Sequence, residues 1–153
     1  AIVYDPNTGW WTFTLSLAKG QSANVNAQFL DAAGNFHKSY NPSITEIIKA
    51  NGEGSGSNGT FSFDLIITQA SEAYTNLLIN GSGSASYQGN SSSFAINNMT
   101  INKYEDGIPD SGEMVVTVQG VTFTSVYNGN REIQITYTYN GQSYTFTVTL
   151  EPG

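Results

Sequence analysis

The residues able to do ionic chemistry in this chain are few. Its 153 residues include one histidine, His37, and no cysteine. A thiolate nucleophile is therefore excluded, and any acyl-transfer triad would have to use that one ring. His37 lies between Phe36 and Lys38 at the solvent-facing parity of an alternating stretch, where an ordinary exposed histidine is expected. There is no Gly-x-Ser-x-Gly elbow, and Gly81-Ser82-Gly83-Ser84 reads instead as a turn. Glycoside hydrolysis needs two carboxyls roughly 5 to 9 Å apart, and no spacing in the chain establishes such a pair, Asp64 and Glu46 included. The sequence reads as non-enzymatic.

Metal and ligand chemistry have more candidates. Glu105, Asp106, Asp110 and Glu113 place four carboxylates within nine positions around Gly107, Pro109 and Gly112. Clustered oxygen ligands on a tight turn are what calcium takes, although the spacing is not that of the twelve-residue EF-hand loop and a long solvated turn uses the same residues. Trp10 and Trp11 are adjacent, so in a strand they point to opposite sides and one faces outward, where an indole can stack on a sugar or simply cap the end of the sheet. Four acceptor sequences for N-glycosylation begin at Asn58, Asn80, Asn90 and Asn98, about as many as chance supplies in a chain so rich in Asn, Ser and Thr. Thr-x-Thr recurs at Thr12, Thr122, Thr136 and Thr145, as on the wet face of a strand.

Composition narrows the partners. Only 11% of residues are charged, twelve acidic against five basic, for a net charge of -7. Binding to phosphates needs clustered Lys and Arg, so nucleic acid and anionic lipid are poor candidates as partners. The longest apolar runs, such as Leu77-Leu78-Ile79, fall far short of the ~20 residues of a membrane-spanning helix. Low Lys content, abundant Asn, Ser and Thr, and a start at Ala1 point to a mature extracellular or cell-surface protein.

These side chains must be positioned by strands. Tyr144 to Leu150 alternates four apolar residues with three threonines, the pattern of a half-buried strand. Glu132 to Tyr139 alternates likewise, and Asn140-Gly141 between the two is the strongest short hairpin signal. Val121 to Tyr127 and Gly112 to Gln119 complete a C-terminal meander. Upstream, Trp11 to Leu17, Ala23 to Phe29, Phe36 to Tyr40, Gly59 to Thr68, Thr75 to Asn80, Ala85 to Gln88 and Phe94 to Ile101 repeat the grammar. Turns are expected at Lys19-Gly20, Asp31 to Asn35, Asn80-Gly81 and Gly89-Asn90, a flexible loop over Gly52 to Gly59, and a bulge at Asn97-Asn98. Residues 43–50 carry a Ser-x-x-Glu capping box and read as a short helix or, on their β-branched content, a strand.

The expected fold is all-β over 1–153 as one domain: an antiparallel, meander-rich sandwich or up-and-down barrel of about 10–12 strands. Such a sheet must hide its edges, and only Lys19, Lys38, Lys49, Lys103 and Arg131 are available as basic guards. Either the sheet closes on itself or another chain pairs with an edge. Ala1, Ile2, Val3 and Tyr4 could form a donated strand or an ordinary first one. The expected function is a structural or self-assembly role with copies of itself as partners. The alternative is a module binding a glycan or a small apolar ligand at Trp10 or Trp11, and calcium is the one cofactor the acidic loop suggests.

Overall fold

The computed structural model describes residues 1–16 and 20–151. They form twelve strands: β1 Ile2–Tyr4, β2 Trp11–Ser16, β3 Ser22–Leu30, β4 Phe36–His37, β5 Ile47–Ser55, β6 Gly59–Thr68, β7 Asn76–Tyr87, β8 Asn90–Asn102, β9 Ser111–Val118, β10 Val121–Tyr127, β11 Glu132–Tyr139 and β12 Gln142–Thr149. Every pairing is antiparallel, and the strands follow one another in chain order from β1 to β12, with only β4 off the path beside β3. The expected all-β meander is therefore the fold, with up-and-down order throughout. The sheet does not close: β1 and β12 remain its two edges.

The alternation described above sets the strands, and the turns set the register. Gln88-Gly89, Gln119-Gly120 and Asn140-Gly141 each place both central residues at positive φ, between 49° and 83°. Two such residues match the right-handed twist of the flanking strands, as a type I′ turn does. Gln is a poor signal for this conformation, so the first two turns are carried by their glycines. The turn expected at Gly89-Asn90 accordingly falls one residue earlier, and β8 begins at Asn90. Of the Lys19-Gly20 turn, Lys19 lies outside the described residues, as does Leu17 of the expected first long strand.

Two further expectations are corrected, and one open alternative is resolved. Asn80-Gly81 is not a turn, because β7 runs through it, joining the two short strands expected at Thr75 to Asn80 and Ala85 to Gln88. Most of the loop expected over Gly52 to Gly59 is strand, with β5 reaching Ser55 and only 56–58 turning into β6. The physical reason is the same in both places. A Cβ on Gly52 would lie 2.4 Å from the Phe63 ring, and one on Gly83 2.4 Å from the Phe94 ring. The glycines are thus the floor on which cross-strand phenylalanines lie down, a role no local pattern announces. Residues 43–50, read as helix or strand, resolve into a turn at 42–44 followed by β5. The turn is closed by Thr45 N–H donating to the Asn41 carbonyl at 2.8 Å and Ser43 N–H to Asn41 Oδ1 at 2.9 Å.

The bulge expected at Asn97-Asn98 is present, with the β8–β9 register shifting between Asn97 and Thr100. Asn98 takes φ 49°. Its N–H donates to Asn80 Oδ1 at 2.8 Å, so the neighbouring strand holds the irregularity in place.

The two ends of the sheet differ. One carries tight hairpins, at 56–58, 88–89, 119–120 and 140–141. The other gathers the longer connections, 31–46, 69–75, 103–110 and 128–131, and these are sewn together. Tyr40 OH donates to the Ala70 carbonyl at 2.9 Å, Glu72 N–H to the Pro42 carbonyl at 2.7 Å, and Lys103 Nζ to the carbonyls of Ser71 and Tyr74. Thr45, Ala70 and Ser71, all at most 2% exposed, sit in this knot.

Candidate functional site

Register carries each row of side chains across the whole sheet. Tyr4 stands opposite Trp11, then come Ala27, Ala50, Leu65, Gly81, Ile96, Met114, Ser125, Ile135 and Phe146. The next row, one residue along, faces the other way and reads Thr12, Asn26, Asn51, Asp64, Ser82, Ala95, Val115, Thr124, Thr136 and Thr145. Because side chains alternate sides with a period of two, a ladder without crossovers sorts the paired strand residues into one apolar and one hydroxyl- and amide-rich face. The charged strand residues Lys49, Glu53, Asp64, Glu113 and Glu132 all fall on the polar side. Among the described residues the apolar face of β1–β3 and β5–β12 holds no Asp, Glu, Lys or Arg.

Among the described residues no element lies over that face. Among the described residues the buried apolar ones are Ala23, Leu30, Ala70 and Met99, whereas Phe61, Val118, Phe123, Tyr144 and Phe146 of the apolar face are 39–50% exposed. A groove on it of about 620 Å³ is lined by four ladder neighbours, β6 to β9. The chain exposes 9249 Å². A folded monomer of 16.4 kDa is expected to expose about 7,500 Å². The excess is of the size of a sheet face. Contiguous apolar patches above a few hundred Å² on soluble proteins mark places where something binds, which makes this face the candidate site.

Several rings on this face lie flat. Phe63 and Phe94 lie over Gly52 and Gly83 instead of standing upright, and Tyr137 stacks on Tyr144 with ring centres 5.0 Å apart, next to Phe123 at 6.1 Å. The polar face is tied across its strands: Thr12 donates to Asn26 and Asn26 to Asn51 at 2.9 and 2.8 Å, and the Thr136–Thr145 and Thr138–Ser143 hydroxyls meet at 2.9 Å.

The residues singled out in the sequence are dispersed. Trp11 opens β2 on the apolar side, its ring 4.9 Å from Tyr4 and its indole N–H donating to the Lys38 carbonyl at 2.7 Å. Trp10 precedes the strand and is half-buried. Ile2–Tyr4 is β1, paired within the chain to β2, and the Ala1 ammonium donates to the Thr14 carbonyl at 3.0 Å.

The acidic loop does not converge. Asp106 is paired with Arg131, and Glu113 accepts from Asn97 Nδ2 at 2.9 Å. Among the described residues no group of three or more His, Asp or Glu could hold a metal ion. The Arg131 guanidinium, with the Ile108 N–H, holds the Asp106 carboxyl below its usual range. Of the sequon residues, Asn58, Asn90 and Asn98 are exposed, and the Asn80 amide is engaged with Asn98. His37 is half-buried, and its ring bonds Asp31 at 2.8 Å. That bond, with the N–H groups of Asn35 and Ala33, lowers the Asp31 pKa. No hydroxyl bonds the ring among the described residues, so a histidine–carboxylate pair exists without a nucleophile.

Sequence reasoning found the apolar parity of each strand but not the open face they make together. No helix of the described residues is long and apolar enough to cross a membrane. Comparison of the chain with protein-family models, with curated proteins and with solved structures gives no significant match.

Proposed function

We propose that this is a non-enzymatic, exported or cell-surface protein with a structural or self-assembly role, in which the β12 edge pairs with another copy. The observation that carries this reading is the contrast between the two edges. β1 is only three residues long, Ile2–Tyr4. β12 offers eight residues, Gln142–Thr149, with no charge, proline or register shift. A long edge without guards is a template for another strand, and main-chain bonds then supply the affinity.

Thr145→Glu/Thr147→Glu tests it. In an edge-to-edge pair these carboxylates meet their own copies, so sedimentation velocity should show the largest wild-type species lost in the variant, with an unchanged β spectrum. Wild-type protein that is monomeric at hundreds of micromolar removes the reading.

A second reading, binding of a small apolar ligand, is favoured by the groove over β6 to β9, where Phe61, Phe63, Phe94 and Met114 surround about 620 Å³. That volume is in the range of ligand sites. Titration with a fluorescent fatty-acid analogue, competed by unlabelled fatty acid, decides it, since an absent or non-competable signal removes this reading.

A further inference from the structure

We infer that the apolar face is covered by a second copy of the same chain, packed face to face as the other half of a β-sandwich. This surface is distinct from the β12 edge, so the inference does not rest on edge pairing.

Area and charge both point to this occupant. Eleven laddered strands about 4.8 Å apart and some eight residues long make a face on the order of 1,300 Å². A stable interface needs about 800 Å² from each partner. The excess exposed surface of the monomer, about 1,700 Å² over the size-based expectation, is of the same magnitude.

A twofold contact is made by one patch on itself, so it must not repel itself. A chain of net charge -7 satisfies this only where the charges are elsewhere, and here every charged residue of the laddered strands lies on the opposite side. The same neutrality argues against a membrane surface as the occupant, since interfacial binding to anionic lipid draws on Lys and Arg beside the apolar face. The flattened rings of Phe63 and Phe94 suit stacking of two sheets about 10 Å apart.

The test uses adjacent residues on opposite sides. The chain has no cysteine, so Ser125→Cys on the apolar face and Thr124→Cys on the polar face each give a single attachment point for an environment-sensitive fluorophore. As wild-type-like protein is concentrated through its association range, the label at 125 should shift to the blue in step with the dimer seen by sedimentation, and the label at 124 should not. Dimer should predominate down to about 1 µM. Val118→Lys/Phe123→Lys should weaken it at least 100-fold, and mixing with Val118→Glu/Phe123→Glu should restore it. The labelling experiment stands even if the charged variants fail to fold.

A label at 125 that ignores concentration overturns the inference. So does a folded Val118→Lys/Phe123→Lys protein that dimerises like wild type. A monomer that gives the same shift only on adding neutral phosphatidylcholine vesicles also overturns it, naming lipid as the occupant. Thr145→Glu/Thr147→Glu separates the two surfaces: the 125 shift should survive in that variant, and its survival alongside unchanged large species would sink edge pairing alone.

Discussion

The two faces of this sheet are built from the same ladder and hold together by different means. On the polar face, hydroxyls and amides bond across strands at 2.8–2.9 Å, as in Thr12–Asn26–Asn51 and Thr136–Thr145. Water competes for each of these bonds, so each contributes little net stability. On the apolar face the stabilisation comes from rings lying on neighbouring backbone, and removing that surface from water adds roughly 25 cal/mol per Å². The difference teaches that the face which holds the monomer together is also the one left open.

The contrast can be broken most forcefully at Gly52. Gly52→Val puts a side chain where the Phe63 ring lies, with the first carbon already 2.4 Å away. Overpacking of this kind should cost about 3 kcal/mol, read as a lower urea midpoint at an unchanged slope. An unaltered midpoint would mean that the ring is not held.

Phe63→Ala uncovers the same glycine from the other side. It should cost about 2 kcal/mol, less than a fully buried phenylalanine because this residue is only half-buried.

The carboxylates of the loop end sharpen the comparison through pH. Asp31 and Asp106 both have pKa values lowered from 3.8, by the His37 ring and the Arg131 guanidinium first. A group whose pKa falls on folding stabilises above its unfolded value and loses that contribution as pH drops through its folded one. Thermal melts should therefore weaken below about pH 4. Asp31→Asn/Asp106→Asn should melt lower than wild type at pH 7, and the gap should narrow as the pH falls through the lowered pKa values.

Least should happen on the polar face. Thr138→Val/Ser143→Ala removes both partners of one cross-strand bond and should move stability by no more than about 0.5 kcal/mol. A larger loss would show that the hydroxyl ladder, and not the rings, carries the sheet.

Legibility followed the same division. β6, β10 and β11 were readable to the residue, because period-two alternation ends at turn residues there and Asn140-Gly141 has one favoured use. Gly81-Ser82-Gly83-Ser84 and Gly52 to Ser55 misled, because glycine signals turns locally and its role as a floor for Phe94 and Phe63 exists only once strands are paired. The side on which Ile135 or Phe146 points was plain from alternation. Whether another layer rests on it was not, since a pattern of two says which side is apolar and nothing about what lies above it. The capping box at Ser43–Glu46 failed for a related reason: Thr45, fully buried in the knot of connections, takes its partners from Asn41 and not from a helix.

Strictly sequential pairing has a consequence for how the molecule comes apart and how it can be rebuilt. With each strand bound chiefly to those before and after it, the sheet behaves as a linear array, in which adding or deleting a terminal hairpin changes length without scrambling what remains. The sewn end anchors that array, so amide exchange should begin at the hairpin tips and advance inward. Foreign peptides grafted at Asn140-Gly141 would then hang from the fraying margin, leaving the anchored one undisturbed.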